Sequence, residues 1–132
     1  MPNAGLKREH TVILLVEDDE QTREFYRHAI KAAGHEVAAV EDGLAALRRI
    51  DIELPDVIVL DLVLPRLGGI DVFQELRANP ATRKIPVIAV TGSDRVLSVD
   101  TAEFHYFLRK PVSPELLVAT IDQALKRSQA AG

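Results

Sequence analysis

Hydrophobic residues in this chain fall into five short and almost unbroken runs. The runs are rich in Val, Ile and Leu and hardly alternate with polar residues. They occupy Val12–Val16, Val37–Val40, Val57–Leu60, Val87–Val90 and Phe104–Leu108. Strands buried on both faces have this composition, as in a parallel sheet that helices cover on both sides. The pattern therefore predicts five buried strands.

The segments between these runs show helical periodicity. Apolar residues recur at helical spacing before Gly34, from Asp42 to the residues before Pro55, and around Phe73. The last segment is the clearest, because Ser113 is a good N-cap and is followed by a proline. The fourth segment, 94–101, has only three apolar residues and predicts one or two helical turns.

The alternation of strand and helix predicts an α/β fold with one doubly wound parallel sheet. The 132 residues suffice for one domain. We expect this domain to span residues 11–128, between an N-terminal tail, 1–10, and a C-terminal tail, 129–132.

Composition narrows the classes of function. The chain has no cysteine, which excludes disulfides and thiolate metal sites, and its four histidines are scattered and expected at the surface. A net charge of -4 does not favour a nucleic-acid partner, and the four small basic pairs are expected to be solvated surface. The apolar runs are too short to cross a membrane, and no signal peptide is recognisable. These features predict a cytoplasmic protein without nucleic-acid or membrane partners.

Chemically active residues follow four of the five runs. Glu17 and Asp18 follow the first run, Asp61 the third, Thr91 the fourth and Lys110 the fifth. In open α/β sheets, sites form outside the carboxyl ends of the strands. Taken alone, each residue can be explained as a helix-start, turn or surface residue. That structural explanation becomes improbable when such residues follow four strands together.

A gathered set of carboxylates needs a cation. Each pair would repel by roughly 1–4 kcal/mol, depending on the local dielectric. Oxygen ligands with room for water suit Mg²⁺, and Lys110 and Thr91 would add a positive charge and a hydroxyl. The set suits a carboxylate that attacks phosphorus and then carries the phosphoryl group.

Four motifs resemble those of the response-regulator receiver family, in order along the chain. They are Val16-Glu17-Asp18-Asp19, Leu60-Asp61-Leu62-Val63-Leu64-Pro65, Ile88-Ala89-Val90-Thr91-Gly92 and Leu108-Arg109-Lys110-Pro111. The resemblance covers nearly the whole chain, from about residue 11 to residue 127. It implies a flavodoxin-like (βα)5 fold with a five-stranded parallel sheet in the order 2-1-3-4-5.

The resemblance also implies a magnesium site. Glu17 and Asp18 resemble the acid pair that holds Mg²⁺ in this family. Asp61 and the backbone carbonyl of Val63 resemble its further ligands. No other cofactor is implied.

The same resemblance assigns roles in a phosphorylation switch. Asp61 is similar to the phosphoacceptor, Thr91 to the hydroxyl that turns toward the phosphoryl group, and Lys110 to its ion-pair partner. Phe107 is in the place of the aromatic switch, and the Lys110-Pro111 bond resembles one that is often cis in the family. Because Val63 cannot position an attacking water through a side-chain hydrogen bond, we expect slow self-dephosphorylation.

The resemblance predicts a phosphoprotein of two-component phosphorelay signal transduction. Its partners would be a sensor histidine kinase or phosphotransfer protein and a downstream protein target. The protein would not be an enzyme in the usual sense, since it catalyses only its own phosphorylation and dephosphorylation. We expect a stand-alone single-domain regulator that signals by protein contact, as a monomer or a weak phosphorylation-dependent dimer.

The chain departs from the family pattern before the last strand. Only 19 residues separate Thr91 from Lys110, and Ala102-Glu103-Phe104-His105 replaces the usual small Gly-Ala step. Both changes fall on the fourth helical segment, next to a surface that often meets partners in this family. They put the way this protein meets partners in doubt.

Three other functions compete with a phosphorylation switch. A hydrolase of the dehalogenase type needs a carboxylate at the position of Val63. A flavodoxin-like flavin or nucleotide binder needs a hydroxyl- or glycine-rich loop after the first strand, where this chain has four acidic residues. A receiver kept only for docking, with phosphorylation lost, stays open because of the unusual fourth helical segment.

Overall fold

The computed structural model describes residues 10–92 and 104–131. Within them, five strands and four helices follow one another along the chain. The strands are β1 (Val12–Val16), β2 (Glu36–Val40), β3 (Val57–Asp61), β4 (Val87–Thr91) and β5 (Tyr106–Arg109). The helices are α1 (Glu20–Ala32), α2 (Gly43–Ile52), α3 (Gly69–Ala78) and α4 (Pro114–Ala131).

The strands form one parallel sheet in the order β2-β1-β3-β4-β5. Every residue of β1, β3 and β4 is buried, whereas β2 lies at an edge and is only partly buried. This burial explains why the central runs lack alternating polar residues. The predicted fold class and strand order are confirmed.

The sheet separates two hydrophobic cores. On one face, α2 and α3 pack on the sheet through residues such as Ala46, Ile50 and Phe73. On the other face, α1 and α4 pack through residues such as Ile30 and Ile121. Helices on both faces make the fold doubly wound.

Several predicted boundaries differ from the structure. The last strand begins at Tyr106 and not at Phe104, whose buried ring packs on Phe73 with 4.3 Å between the ring centroids. Asp42 is the N-cap of α2 rather than its first helical residue. The segment 129–132, predicted to be a tail, is helical as far as Ala131. The weak helical segment predicted at 94–101 lies outside the described residues.

The side chain of one histidine, His35, is largely buried, which corrects the prediction that all four lie at the surface. The side chain of His35 is only 11% exposed. Its Nδ1 pairs with the hydroxyl of Thr11, and its Nε2 lies 3.4 Å from a carboxylate oxygen of Asp122. His35 therefore ties the start of the sheet to α4. The prediction failed because an isolated histidine before an edge strand gives no sign of a partner 87 residues away.

The loop after β3 packs closely on its surroundings through two glycines. A Cβ at Gly69 would lie 2.2 Å from the backbone oxygen of Asp61, and a Cβ at Gly43 would lie 2.1 Å from that of Leu67. Such distances are far below normal contact. The absence of a side chain at these two positions therefore allows the loop to seat against β3 and α2.

Candidate metal and phosphoryl-acceptor site

Three carboxylates meet at the carboxyl edge of the sheet. One oxygen each from Glu17, Asp18 and Asp61 lies within 4.8 Å of the others. Glu17 and Asp61 are buried, and Asp18 is exposed. They meet because β1 and β3 are hydrogen-bonded neighbours, and their parallel register brings both carboxyl ends to one place.

Lys110 reaches into this cluster from the end of β5. Its Nζ donates to Oδ2 of Asp61 at 2.8 Å and lies 2.7 Å from Oε1 of Glu17. The lysine is placed by its backbone N–H, which donates to the carbonyl of Thr91 at 3.0 Å. One ammonium thus faces two buried carboxylates, and the three acids retain a negative excess.

Burial and these hydrogen bonds shift the pKa values of Glu17 and Lys110. Burial raises the pKa of Glu17, and the hydrogen bond from Lys110 only partly offsets this rise. Burial disfavours the charged form of Lys110, but hydrogen bonds to Asp61 and Glu17 outweigh it, so the pKa of this lysine is raised. The lysine therefore stays charged at neutral pH.

Backbone and side-chain hydrogen bonds hold the acidic loop after β1. Oε2 of Glu17 accepts from the N–H of Asp19 at 3.0 Å. Asp19 caps α1 by accepting from the N–H and hydroxyl of Thr22. Arg23 donates from Nη1 to the carbonyls of Glu17 at 3.0 Å and of Asp18 at 3.3 Å. The loop is thereby fixed on the start of α1.

Arg23 is a site residue that sequence reasoning missed. Its guanidinium binds backbone carbonyls, and any basic residue in the first turn of a helix gives the same sequence pattern. The cap by Asp19 was recognisable, since an acidic residue commonly precedes a helix.

The loop after β3 is held by Asp61 itself. Oδ1 of Asp61 accepts from the N–H of Val63 at 2.9 Å, so both carboxylate oxygens have partners. The Val63 side chain is 50% exposed. Its carbonyl as a metal ligand stays a prediction.

A second ion pair supports the same loop. Asp42, which is buried, caps α2 through the N–H of Ala45 and lies 3.4 Å from Nε of Arg66. Arg66 has a φ of 68°, a left-handed conformation that is unusual for a residue other than glycine. Neither Asp42 nor Arg66 was singled out from the sequence, because their pairing depends on the shape of the loop.

Thr91 and Phe107, the two residues predicted to act in a switch, lie on β4 and β5. Thr91 is fully buried at the end of β4, the strand next to Asp61. Phe107 lies on β5 and is half-buried, 6.3 Å from the Phe104 ring centroid. The peptide bond between Lys110 and Pro111 is cis, as the resemblance led us to expect. The roles of Thr91 and Phe107 stay predictions.

The donor set fits Mg²⁺. Mg²⁺ prefers oxygen ligands, usually takes one or two carboxylates, and keeps several waters. Glu17 and Asp61 offer buried carboxylates, and exposed Asp18 leaves one side of the cluster open to water. The residues that would hold the ion are these three.

A family model decides the classification. The model of the response regulator receiver domain matches residues 13–122, which include all four motifs. The chain belongs to the response regulator receiver family. The family assignment made from the motifs is therefore confirmed.

The receiver is similar to parts of longer regulators. It is 33% identical over 123 residues to the alkaline phosphatase synthesis transcriptional regulatory protein PhoP of Bacillus subtilis, covering 90% of this chain and 50% of PhoP. It is 35% identical over 121 residues to the response regulator MprA of Mycobacterium leprae, covering 89% and 52%. The chain thus spans about half the length of these relatives, and a stand-alone regulator stays a prediction.

Solved structures agree in fold. A signal receiver domain of a signal transduction histidine kinase from Syntrophus aciditrophicus has a TM-score of 0.81 at 29% identity, covering 88% of this chain and 90% of that one. A CheY-like receiver domain protein from Methanospirillum hungatei has a TM-score of 0.86 at 23% identity, covering 94% and 100%, and shows the fold alone.

Among the described residues, no helix is both long and apolar enough to pass through a membrane.

Proposed function

We propose that this receiver accepts a phosphoryl group on Asp61 in a Mg²⁺-dependent reaction. The donor would be a phosphohistidine of a sensor histidine kinase or phosphotransfer protein. The observation that carries the proposal is the meeting of Glu17, Asp18, Asp61 and Lys110 at one edge of the sheet. Receiver domains as a family interact with such kinases and phosphotransfer proteins.

The transfer requires a carboxylate that is ionised and correctly oriented. Lys110 donates to one oxygen of Asp61 and the N–H of Val63 donates to the other, so two hydrogen bonds orient this carboxylate. One oxygen of Asp61 then attacks phosphorus, the bond from phosphorus to the donor nitrogen breaks, and the electron pair stays on the imidazole. Bound Mg²⁺ would supply positive charge to the transferring oxygens.

The phosphorylated state differs in charge, and this difference can drive a switch. A phosphoryl group adds roughly -1.5 to -2 charges at neutral pH. Lys110 already lies within hydrogen-bond reach of Asp61 and can pair with the new oxygens. Thr91 would supply a hydroxyl from the neighbouring strand, and Phe107 would change position in response. The protein would then signal by contact with a downstream protein target.

The protein would act only on itself. It would accelerate its own phosphorylation and dephosphorylation and would not turn over a free substrate. Val63 beside the acceptor carries no hydrogen-bonding side chain that could orient a hydrolytic water, so the phosphorylated state should persist.

The test is the intact mass of the protein after incubation with acetyl phosphate. With Mg²⁺, wild type should gain the mass of one phosphoryl group, and with a chelator it should gain none. Asp61→Asn should gain none under either condition. Asp51→Asn, an exposed position on α2, is the matched control and should be labelled like wild type. Labelling of Asp61→Asn at the wild-type level would refute the assignment.

A further inference from the structure

The far edge of the sheet, opposite the acidic site, carries a basic groove. A half-open hollow of about 170 Å³ lies between the starts of β4 and β5 and the ends of α3 and α4. Apolar groups of Ile85, Val87 and Ala124 line it. Since β4 has five residues, the hollow and Thr91 are roughly 13 Å apart along the strand.

Two shallower hollows extend the central one on either side. One shares Arg77 and continues along Phe73. The other shares Tyr106 and Arg127 and continues to Lys126. We define the basic groove as these three adjoining hollows. Their shared walls make a continuous surface that an extended chain could follow.

The charge of the groove contrasts with that of the chain. Four permanently charged side chains line it, namely Arg77, Lys84, Lys126 and Arg127, whereas the whole chain has a net charge of -4. Among the described residues, no Asp or Glu lines the three hollows. Within that same part of the chain, no carboxylate lies within ion-pair distance of Lys84, Lys126 or Arg127.

Arg77 is held in place where the central hollow meets the one along Phe73. Its guanidinium lies over the ring of Phe73, 4.8 Å from the centroid, and its Nη1 donates to the carbonyl of Arg83 at 2.5 Å. A guanidinium that is already oriented loses less freedom when it binds a carboxylate. The groove thus combines one ordered cation with three that extend into solvent.

We propose that the basic groove binds an acidic segment of a partner protein that carries one large apolar side chain. An apolar cavity of about 150 Å³ accepts a molecule the size of benzene, so the central hollow fits a single Leu or Phe side chain. Carboxylates on either side of that anchor would meet Arg77 in one direction and Lys126 and Arg127 in the other. The central hollow is too small for a drug-sized ligand, which usually needs 300 Å³ or more.

The test uses the whole chain as bait to select binders from a library of short random peptides. The selected peptides are then measured against two charge-reversal variants of the protein. In the double variant Lys84→Glu/Arg127→Glu, both changes are at exposed positions and should leave the circular dichroism spectrum unchanged. Arg48→Glu, at an exposed position on α2 outside the groove, is the matched control. Selected peptides should contain several acidic residues around one Leu, Ile, Met or Phe.

The selected peptides should bind the double variant roughly tenfold or more weakly than wild type and bind Arg48→Glu within about twofold. Failure to select any peptide, selected peptides without acidic residues, or equal binding to the double variant would overturn the proposal. Complete displacement by millimolar inorganic phosphate would show a small-anion site and would overturn it as well. Asp61→Asn should bind the peptides like wild type, which separates this inference from phosphorylation.

Discussion

Removal of the charge of Lys110 should destabilise the protein by about 3 kcal/mol at pH 8. The change is Lys110→Met, which keeps the apolar stem and removes only the ammonium. It would leave two carboxylates, Glu17 at 2% and Asp61 at 6% side-chain exposure, without their cation. Loss of one partner from a buried ion pair costs about 3–5 kcal/mol, and the 24% exposure of Lys110 favours the lower end.

The raised pKa values of Lys110 and Glu17 determine how the stability difference between variant and wild type changes with pH. The raised pKa of Lys110 means that its ammonium stabilises wild type fully below about pH 10 and loses this effect as pH rises further. The pKa of Glu17 is already raised by burial and rises further without the lysine. The variant should therefore recover stability relative to wild type as the pH falls and Glu17 becomes protonated.

The assay is urea unfolding at pH 8 and pH 5, with and without Mg²⁺. The difference between variant and wild type should be smaller at pH 5. Mg²⁺ should stabilise the variant more than wild type, because it would no longer compete with the ammonium for the same oxygens. Arg48→Ala, at an exposed helical position, should stay within about 0.5 kcal/mol of wild type. A Lys110→Met protein that matches wild type at both pH values would refute the reasoning.

Three further predictions concern the same edge of the sheet. Gly69→Ala should lower the free energy of unfolding by about 1–3 kcal/mol and slow labelling by acetyl phosphate, because its Cβ would meet the Asp61 backbone. In the control Gly68→Ala, the new Cβ makes only an ordinary contact at 3.6 Å, so neither the stability nor the labelling rate should change. Val63→Asn should speed loss of the phosphoryl label about tenfold or more by orienting water, and an unchanged decay rate would contradict this. Glu17→Gln should weaken Mg²⁺ binding roughly tenfold or more in calorimetry. The Mg²⁺ affinity of wild type should fall as the pH drops through the raised pKa of Glu17. Equal Mg²⁺ affinities of variant and wild type would count against Glu17 as a ligand.

The sheet and the acidic site were predictable because each depends on a local pattern. Fully buried strands leave uninterrupted apolar runs, and parallel strands bring their carboxyl ends to one edge. Glu17 and Asp61 could therefore be placed together from two strand ends. The limit of this reasoning appears at Phe104, whose apolar ring suggested a strand although it packs in the core before the strand begins.

Features that depend on distant contacts could not be predicted in this way. His35 has a partner on α4 that no local pattern indicates. The basic pairs at 83–84 and 126–127 were each interpreted as solvated surface, and each has that appearance in sequence. Lys84, Lys126 and Arg127 line one groove only because β4 pairs with β5 and α4 ends beside them.

Neighbouring residues of β5 pack into different hydrophobic cores, one on each face of the sheet. Phe107 packs into the core under α2 and α3, and Tyr106 packs into the core under α1 and α4. If Phe107 changes position as proposed, the change would begin in the core under α2 and α3. A partner that responds to Phe107 is therefore expected on the α2–α3 side of the sheet.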